Sequence, residues 1–187
     1  RHFFCGWRYS GTALDASYSD LHFLFHVVTI PFQWVFGMLW GAQVAAVVFA
    51  ALFASVFFLV ARRYGAAAWL ATALALGSSG LIVRLSLAKA SPLALAWFVF
   101  GLWAATARRP WLVAAATLGF ALTHGGWIML VGSVFLLCLG EVFYDLLVLE
   151  KGWKSWRGWN WWSAVAALFG AALGTLLHPN FPANLRF

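Results

Sequence analysis

Read for hydrophobic and polar positions, the chain is a series of long apolar stretches parted by short charged, glycine-bearing or proline-bearing breaks. Residues 41–61, GAQVAAVVFAALFASVFFLVA, are 21 consecutive uncharged residues. At about 1.5 Å of helix rise per residue they match a hydrocarbon layer ~30 Å thick, so they are the clearest transmembrane helix. Arg62, Arg63, Tyr64 and Gly65 close it, and a second span is expected over 66–83. Arg84 and Lys89 bracket the next turn. Ser91 and Pro92 open a third span to about residue 107, since proline is tolerated in a first helical turn, and Arg108, Arg109 and Pro110 form a tight hairpin. From Trp111 the pattern is apolar only as far as Thr123, His124, Gly125 and Gly126, which predicts a span that stops short of the far surface. A long helix is expected over 127–149, then a basic, tryptophan-laden segment (KGWKSWRGWNWW), then a last span over 163–177 ending in HPNFPANLRF. Residues 17–38 are polar at their start and interrupted by Pro31, and they read as an amphipathic helix lying at, or dipping into, the interface.

Composition narrows the class. With 64% hydrophobic and 9% charged residues and a mean hydropathy of +0.87, the chain lacks the polar surface of a soluble domain, which runs at about 25% charged residues. The expectation is an all-α integral membrane protein of about six transmembrane helices plus the interfacial helix. It forms a single transmembrane domain over 1–187, divided into an extracytoplasmic loop and interfacial helix (1–40), the membrane helices (41–177) and an extracytoplasmic loop (178–187). The start at Arg1 and the absence of a secretory signal read as a piece of a longer polypeptide or a processed form, with at least one earlier helix missing. Cys5 and Cys138 say little about redox compartment.

The net charge of +7 raises nucleic acid as a partner, but twelve basic residues scattered between apolar segments build no continuous basic face, so nucleic acid is excluded. In a membrane protein, basic residues mark the cytoplasmic side instead. If residues 41–61 run inward, Arg62, Arg63, Arg108, Arg109, Lys151, Lys154 and Arg157 all fall in inner loops. The same parity sends all five histidines outward, together with Asp15, Asp20, Arg84 and Lys89. The expected location is an inner membrane of a bacterium, crossed several times, with one plain face and one chemically equipped face.

The candidate chemistry sits on that outer face. In DLHFLFH, His22 and His26 stand at i and i+4 of a helix with Asp20 just before them, a spacing that can ligate a divalent metal ion. Ordinary interfacial hydrogen bonding explains the same histidines. Asp15 and Asp20 are the carboxylates expected on this face, so a general base there is one of them, the alternative being helix or turn capping. Arg84 and Lys89 stand against the positive-inside bias and suit a clamp for a lipid-linked phosphate, with snorkelling to headgroups as the plain alternative. His124 lies in a glycine-flanked break where backbone can approach a ligand, and His178 opens a loop stiffened by Pro179 and Pro182. Both are candidate substrate contacts. Glu141 and Asp145, toward the inner side, read as partners in an interfacial salt bridge with Lys151 or Lys154, the alternative being a proton or ion site. The chain has no GxGxxG, Walker loop, CxxC pair, HExxH or GxSxG motif.

The order of these features resembles the multi-spanning GT-C glycosyltransferases, the superfamily of protein mannosyltransferases and aminoarabinose transferases. An acidic outer segment leads into an aromatic helix with a following proline (SDLHFLFHVVTIPF), and a span ends in ARRYG. An outer Arg then precedes a Ser-Pro helix start (RLSLAKASPLAL), followed by a basic hairpin (ARRPWL), a short span ending ALTHGGW and the HPNFP loop. The resemblance implies sugar transfer from a polyprenyl-phosphate donor at the extracytoplasmic face. It maps Asp20 or Asp15 to the base and Arg84, with Lys89, to the donor phosphate. A reading from another class is a non-catalytic transmembrane subunit of a larger, energy-converting complex, whose outer histidines ligate pigment or haem and whose tryptophans pack against membrane lipids and other subunits. A catalytically degenerate GT-C fold serving as an accessory subunit satisfies both.

Overall fold

The computed structural model describes residues 22–65, 67–86, 89–149, 160–179 and 181–182. These are helical, with no strand among the described residues. Eight α-helices follow one another: α1 (Phe23–Phe36), α2 (Met38–Arg63), α3 (Ala68–Gly77), α4 (Ser79–Ser86), α5 (Ser91–Thr106), α6 (Pro110–Thr123), α7 (Ile128–Phe143) and α8 (Trp161–Leu177). A 3₁₀ turn (Gly125–Trp127) leads into α7, and a π-helical turn (Tyr144–Val148) ends it.

The stretches expected to be helical are helical where the structure describes them, with two local differences. The stretch expected as one helix over 66–83 is broken at Ser78, whose extended backbone separates α3 from α4. Pro31 does not interrupt α1: the helix continues through it, giving up one backbone hydrogen bond, while Thr29 donates its hydroxyl to the Phe25 carbonyl at 2.7 Å. By length and composition, two helical stretches are long and apolar enough to cross a membrane, Met38–Arg63 and Gly125–Val148. The apolar helices α1, α3, α5, α6 and α8 have 10 to 17 residues each.

Side-chain pairings fix the directions. Phe49 and Leu93 share one apolar cluster, Phe53 and Ala96 another, and the Tyr64 and Thr106 hydroxyls bond to each other, so α2 and α5 run parallel. The return path is α3 and α4. On the other side α6 and α8 also run parallel, since Gly170 meets Ala114 and Gly174 meets Leu118 and Ala121. A Cβ on Gly170 would fall on the Ala114 carbonyl, so glycine here sets the distance between the two backbones. The central core is made largely of small residues (Ala104, Ala105, Ala116, Ala164, Ala167, Ala171) around Val113, Leu130 and Val134. Larger apolar side chains such as Trp69, Leu74, Leu136, Phe169 and Leu176 face outward.

Between α1 and α2 the chain reverses at Gly37, whose φ of 80° suits a residue without a Cβ. The two helices pack antiparallel, with Gly41 against the Phe32 and Gln33 backbone and Phe25 and Phe32 against Phe49. Because Phe49, eleven residues into α2, lies level with the start of α5, the first three turns of α2 overhang the bundle by ~16 Å.

The bundle thus has two unlike ends. One gathers Arg62 and Arg63 from the last turn of α2, Arg108 and Arg109 from the α5–α6 hairpin, and Asn160 at the entry to α8. Asn160 is buried and holds three elements together. Its amide donates to the Ala105 carbonyl (2.6 Å), its side-chain oxygen accepts from the Ser163 hydroxyl (2.6 Å), and its backbone carbonyl accepts from the Cys138 thiol (3.3 Å). Arg108, in a left-handed conformation (φ 53°), pairs with Glu141 at 3.1 Å. Lys151 and Lys154, the partners expected for Glu141, lie outside the described residues. The other end carries the histidines.

Candidate functional site

Three helix termini converge at the histidine end: the start of α1, the end of α6 and the end of α8. The sequence break at Thr123 does end α6, and His124 takes an extended backbone (φ −156°, ψ 135°). This conformation lets its ring fold back on the following turn, where Nδ1 accepts the Gly126 N–H at 2.8 Å. A neutral ring that accepts at Nδ1 carries its proton on Nε2, so His124 presents an N–H donor. Burial, and secondarily the neighbouring His22, hold its pKa below the ordinary value of 6.5, which keeps the ring neutral near pH 7.

His22 comes to the same place from the far side of the sequence. It is the residue before α1, with non-helical angles (φ −116°, ψ 29°), and its Nδ1 donates to the Thr123 carbonyl at 3.1 Å. That carbonyl is one of the acceptors a helix C-terminus leaves without an intrahelical partner. The His22 and His124 rings stand 5.2 Å apart. His178 ends α8, is 3% exposed and meets the Phe23 ring edge-on at 6.0 Å. Phe120, one turn before His124, completes an aromatic wall. Lys89 is exposed just before α5, and Ala90 and Leu93 pack with Phe25, which sets Lys89 at this same end of the bundle.

The expected site residues fare unequally. His22, His124, His178 and Lys89 are gathered at one end. Arg84 lies on α4, and its side chain is outside what the structure describes. Asp15 and Asp20, the candidate bases, lie outside the described residues. Of the expected metal set of Asp20, His22 and His26, the described residues include the two histidines. His26 is exposed and packs against Phe25, whereas His22 turns away to α6. Among the described residues no three His, Cys, Asp or Glu side chains stand close enough to hold a metal ion. His124 is poorly suited to join such a set, because binding a metal through Nε2 would move its proton to Nδ1, against the Gly126 N–H.

No family model, curated protein or solved structure matches the chain. The site therefore stands on its own chemistry: a neutral imidazole donor, a second imidazole anchored to a helix end, a buried third imidazole and a nearby ammonium. Together these can hold an oxygen-rich or phosphorylated group without a fixed charge at the centre.

Sequence reading did not find Asn160. Its place before the apolar run of α8 is an N-cap signal, but its side chain makes no local cap bond and spends its polar atoms on Ala105 and Ser163. Nor did the sequence pair Arg108 with Glu141, thirty-three residues apart.

Proposed function

We propose that the chain is a multi-pass integral membrane protein, of a bacterial inner membrane, whose histidine end faces outward and transfers a sugar from a polyprenyl-phosphate donor in the manner of GT-C enzymes. Six crossings are supplied by α2, by α3 with α4 as one broken span, and by α5, α6, α7 and α8. The separation of the arginines at one end from the histidines at the other supports this orientation through the positive-inside rule. The small-residue interior and outward-facing large apolar residues support lipid as the surrounding solvent.

The observation that carries the transferase reading is the meeting of His22, His124 and His178 where short helices stop. Helices of 14 to 17 residues are ~21–25 Å long, less than the ~30 Å hydrocarbon layer, so their ends form a polar recess below the outer surface. Such a recess suits a substrate whose phosphate is tethered to a lipid tail. In this reading the acceptor hydroxyl oxygen attacks the anomeric carbon while the carbon–oxygen bond to the donor phosphate breaks. The proton passes to the Asp20 or Asp15 carboxylate, and polyprenyl phosphate leaves toward Arg84 and Lys89. His124 Nε2–H steadies an oxygen of the donor.

The test is transfer of labelled sugar from a polyprenyl-phosphate donor in membranes holding the wild-type chain, Asp20→Asn, Arg84→Ala or His124→Ala. Asp20→Asn should lower the rate about a hundredfold or more, the ordinary worth of a general base, with Asp15→Asn as the paired control. Full activity in all four variants would sink the transferase reading. A bound chromophore lost from the histidine variants alone would replace it with the subunit reading.

A further inference from the structure

The turn joining α1 to α2 stands apart from the rest of the bundle. It lies ~16 Å beyond the level at which α5 begins, and every residue from 34 to 40 is exposed. The sequence there is WVFGMLW, and no charged residue occurs anywhere from Phe23 to Ala61. Trp34 and Trp40, 83% and 67% exposed, stand three residues to either side of Gly37 and so at one height on adjoining helices. A turn bathed in water is built of polar residues. This one presents an apolar tip with two indoles, rings that suit one dry face and one wet edge.

The arginine end has a matching row. Trp69, Trp111 and Trp162 each take the second position of α3, α6 and α8, and all three are exposed. Tyr64, exposed at the end of α2, marks their level. Along α2, Trp40 and Tyr64 are ~36 Å apart, more than the ~30 Å hydrocarbon layer and less than the ~40–45 Å of a bilayer with its headgroups. Indoles favour that intermediate zone on both sides of a membrane. At the histidine end, between the two rows, the exposed side chains of α7 and α8 are Ile128, Met129, Leu176 and Leu177, which suit acyl chains rather than headgroups.

We infer that the α1–α2 turn is a docking surface for the headgroup zone of the leaflet opposite the arginines, held there by Trp34 and Trp40. The histidine recess then hangs ~16 Å beneath it, with its α7 and α8 rim among the acyl chains. A protein partner would explain an apolar tip, but neither its height above the Tyr64 level nor the aliphatic rim below it. The anchor rests on the membrane reading and is independent of sugar transfer.

The experiment is nitroxide labelling of Met38→Cys and, separately, Leu177→Cys in a chain carrying Cys5→Ser and Cys138→Ala, reconstituted in phosphatidylcholine bilayers. Collisions with oxygen, which concentrates among acyl chains, set against collisions with a water-soluble nickel complex give the depth of each label. Failure of the membrane reading shows separately, as a chain that carbonate washing strips from membranes. For a chain that stays, the Met38 label should sit at headgroup depth and the Leu177 label ~16 Å deeper. Trp34→Leu with Trp40→Leu keeps the apolar bulk without the indoles and should move the Met38 label toward the acyl chains. A Met38 label out in water, two labels at one depth, a Met38 depth unchanged by the leucine pair, or a Met38 label screened from both collision partners by a second copy would each overturn the proposal.

Discussion

The contact between α6 and α8 admits a test in which two chemically identical substitutions should move stability in opposite directions. At Gly170 an alanine Cβ would land on backbone: it would lie 2.9 Å from the Ala114 carbonyl carbon, 3.0 Å from its Cα, and closer still to its oxygen. Backbone atoms cannot rotate away, so the helices must part along a seam that also holds Gly174, Ala121 and Leu118. Overpacking of this kind costs about 1–3 kcal/mol. Gly140, on α7, has nothing within 4 Å of the place an added methyl would take, and alanine there only gains the helix preference, about 0.5–1 kcal/mol of stabilisation. Reversible unfolding in mixed micelles of increasing dodecyl sulfate content, followed by tryptophan fluorescence, reads both. Gly170→Ala should fall below the wild type and Gly140→Ala should match or exceed it, a gap of about 2–4 kcal/mol. Equal stabilities would refute the claim that backbone contact sets the α6–α8 distance.

Three further outcomes follow from the same geometry. Asn160→Ala strands the Ala105 carbonyl and the Ser163 hydroxyl and should cost about 2–4 kcal/mol in that assay. Because folding lowers the His124 pKa below 6.5, the unfolded chain takes up the proton more readily. Stability should hold above pH 6.5 and decline as the pH falls through 6.5 toward the folded value, and His124→Gln should flatten this decline in unfolding curves recorded from pH 7.5 to 5.5. Glu141→Gln should change stability by less than ~1 kcal/mol, since the Arg108 and Glu141 side chains are 55% and 34% exposed.

What could be read in the sequence follows the range over which each interaction acts. The helices over 38–63, 91–106, 110–123 and 161–177 fall within a few residues of their expected limits, because uninterrupted apolar runs ending in Arg, Pro or Gly record local structure. The Ser78 break was legible in the Gly77-Ser78-Ser79-Gly80 cluster, a turn signal outweighed in the expectation by the apolar length of 66–83. The Gly-x-x-x-Gly spacing at 170 and 174 marks a helix face open to close backbone approach, but the spacing alone does not name α6 as the helix that takes it. The site was legible in its residue types and not in its partnerships. His22 and His26, one helical turn apart, invite a shared face. The helix instead begins at Phe23, and the non-helical angles of His22 send its ring to a carbonyl on α6. No spacing rule reaches that far, because the meeting depends on how α1 folds back along α2 and where α6 stops.

The bond from His22 to Thr123 has a meaning for synthesis. Its two ends are 101 residues apart, so at about 5–20 residues per second the acceptor is made roughly 5–20 s after the donor. For the first part of that interval, until Ala90 and Leu93 at the start of α5 are made, α1 has only α2 to lean on. The tight reversal at Gly37, the close approach at Gly41 and the Phe25, Phe32 and Phe49 rings are then the first tertiary contacts available to the growing chain. The partner that fixes the direction of the His22 ring is thus the last to be made, and α1 meets it already packed on α2 and α5.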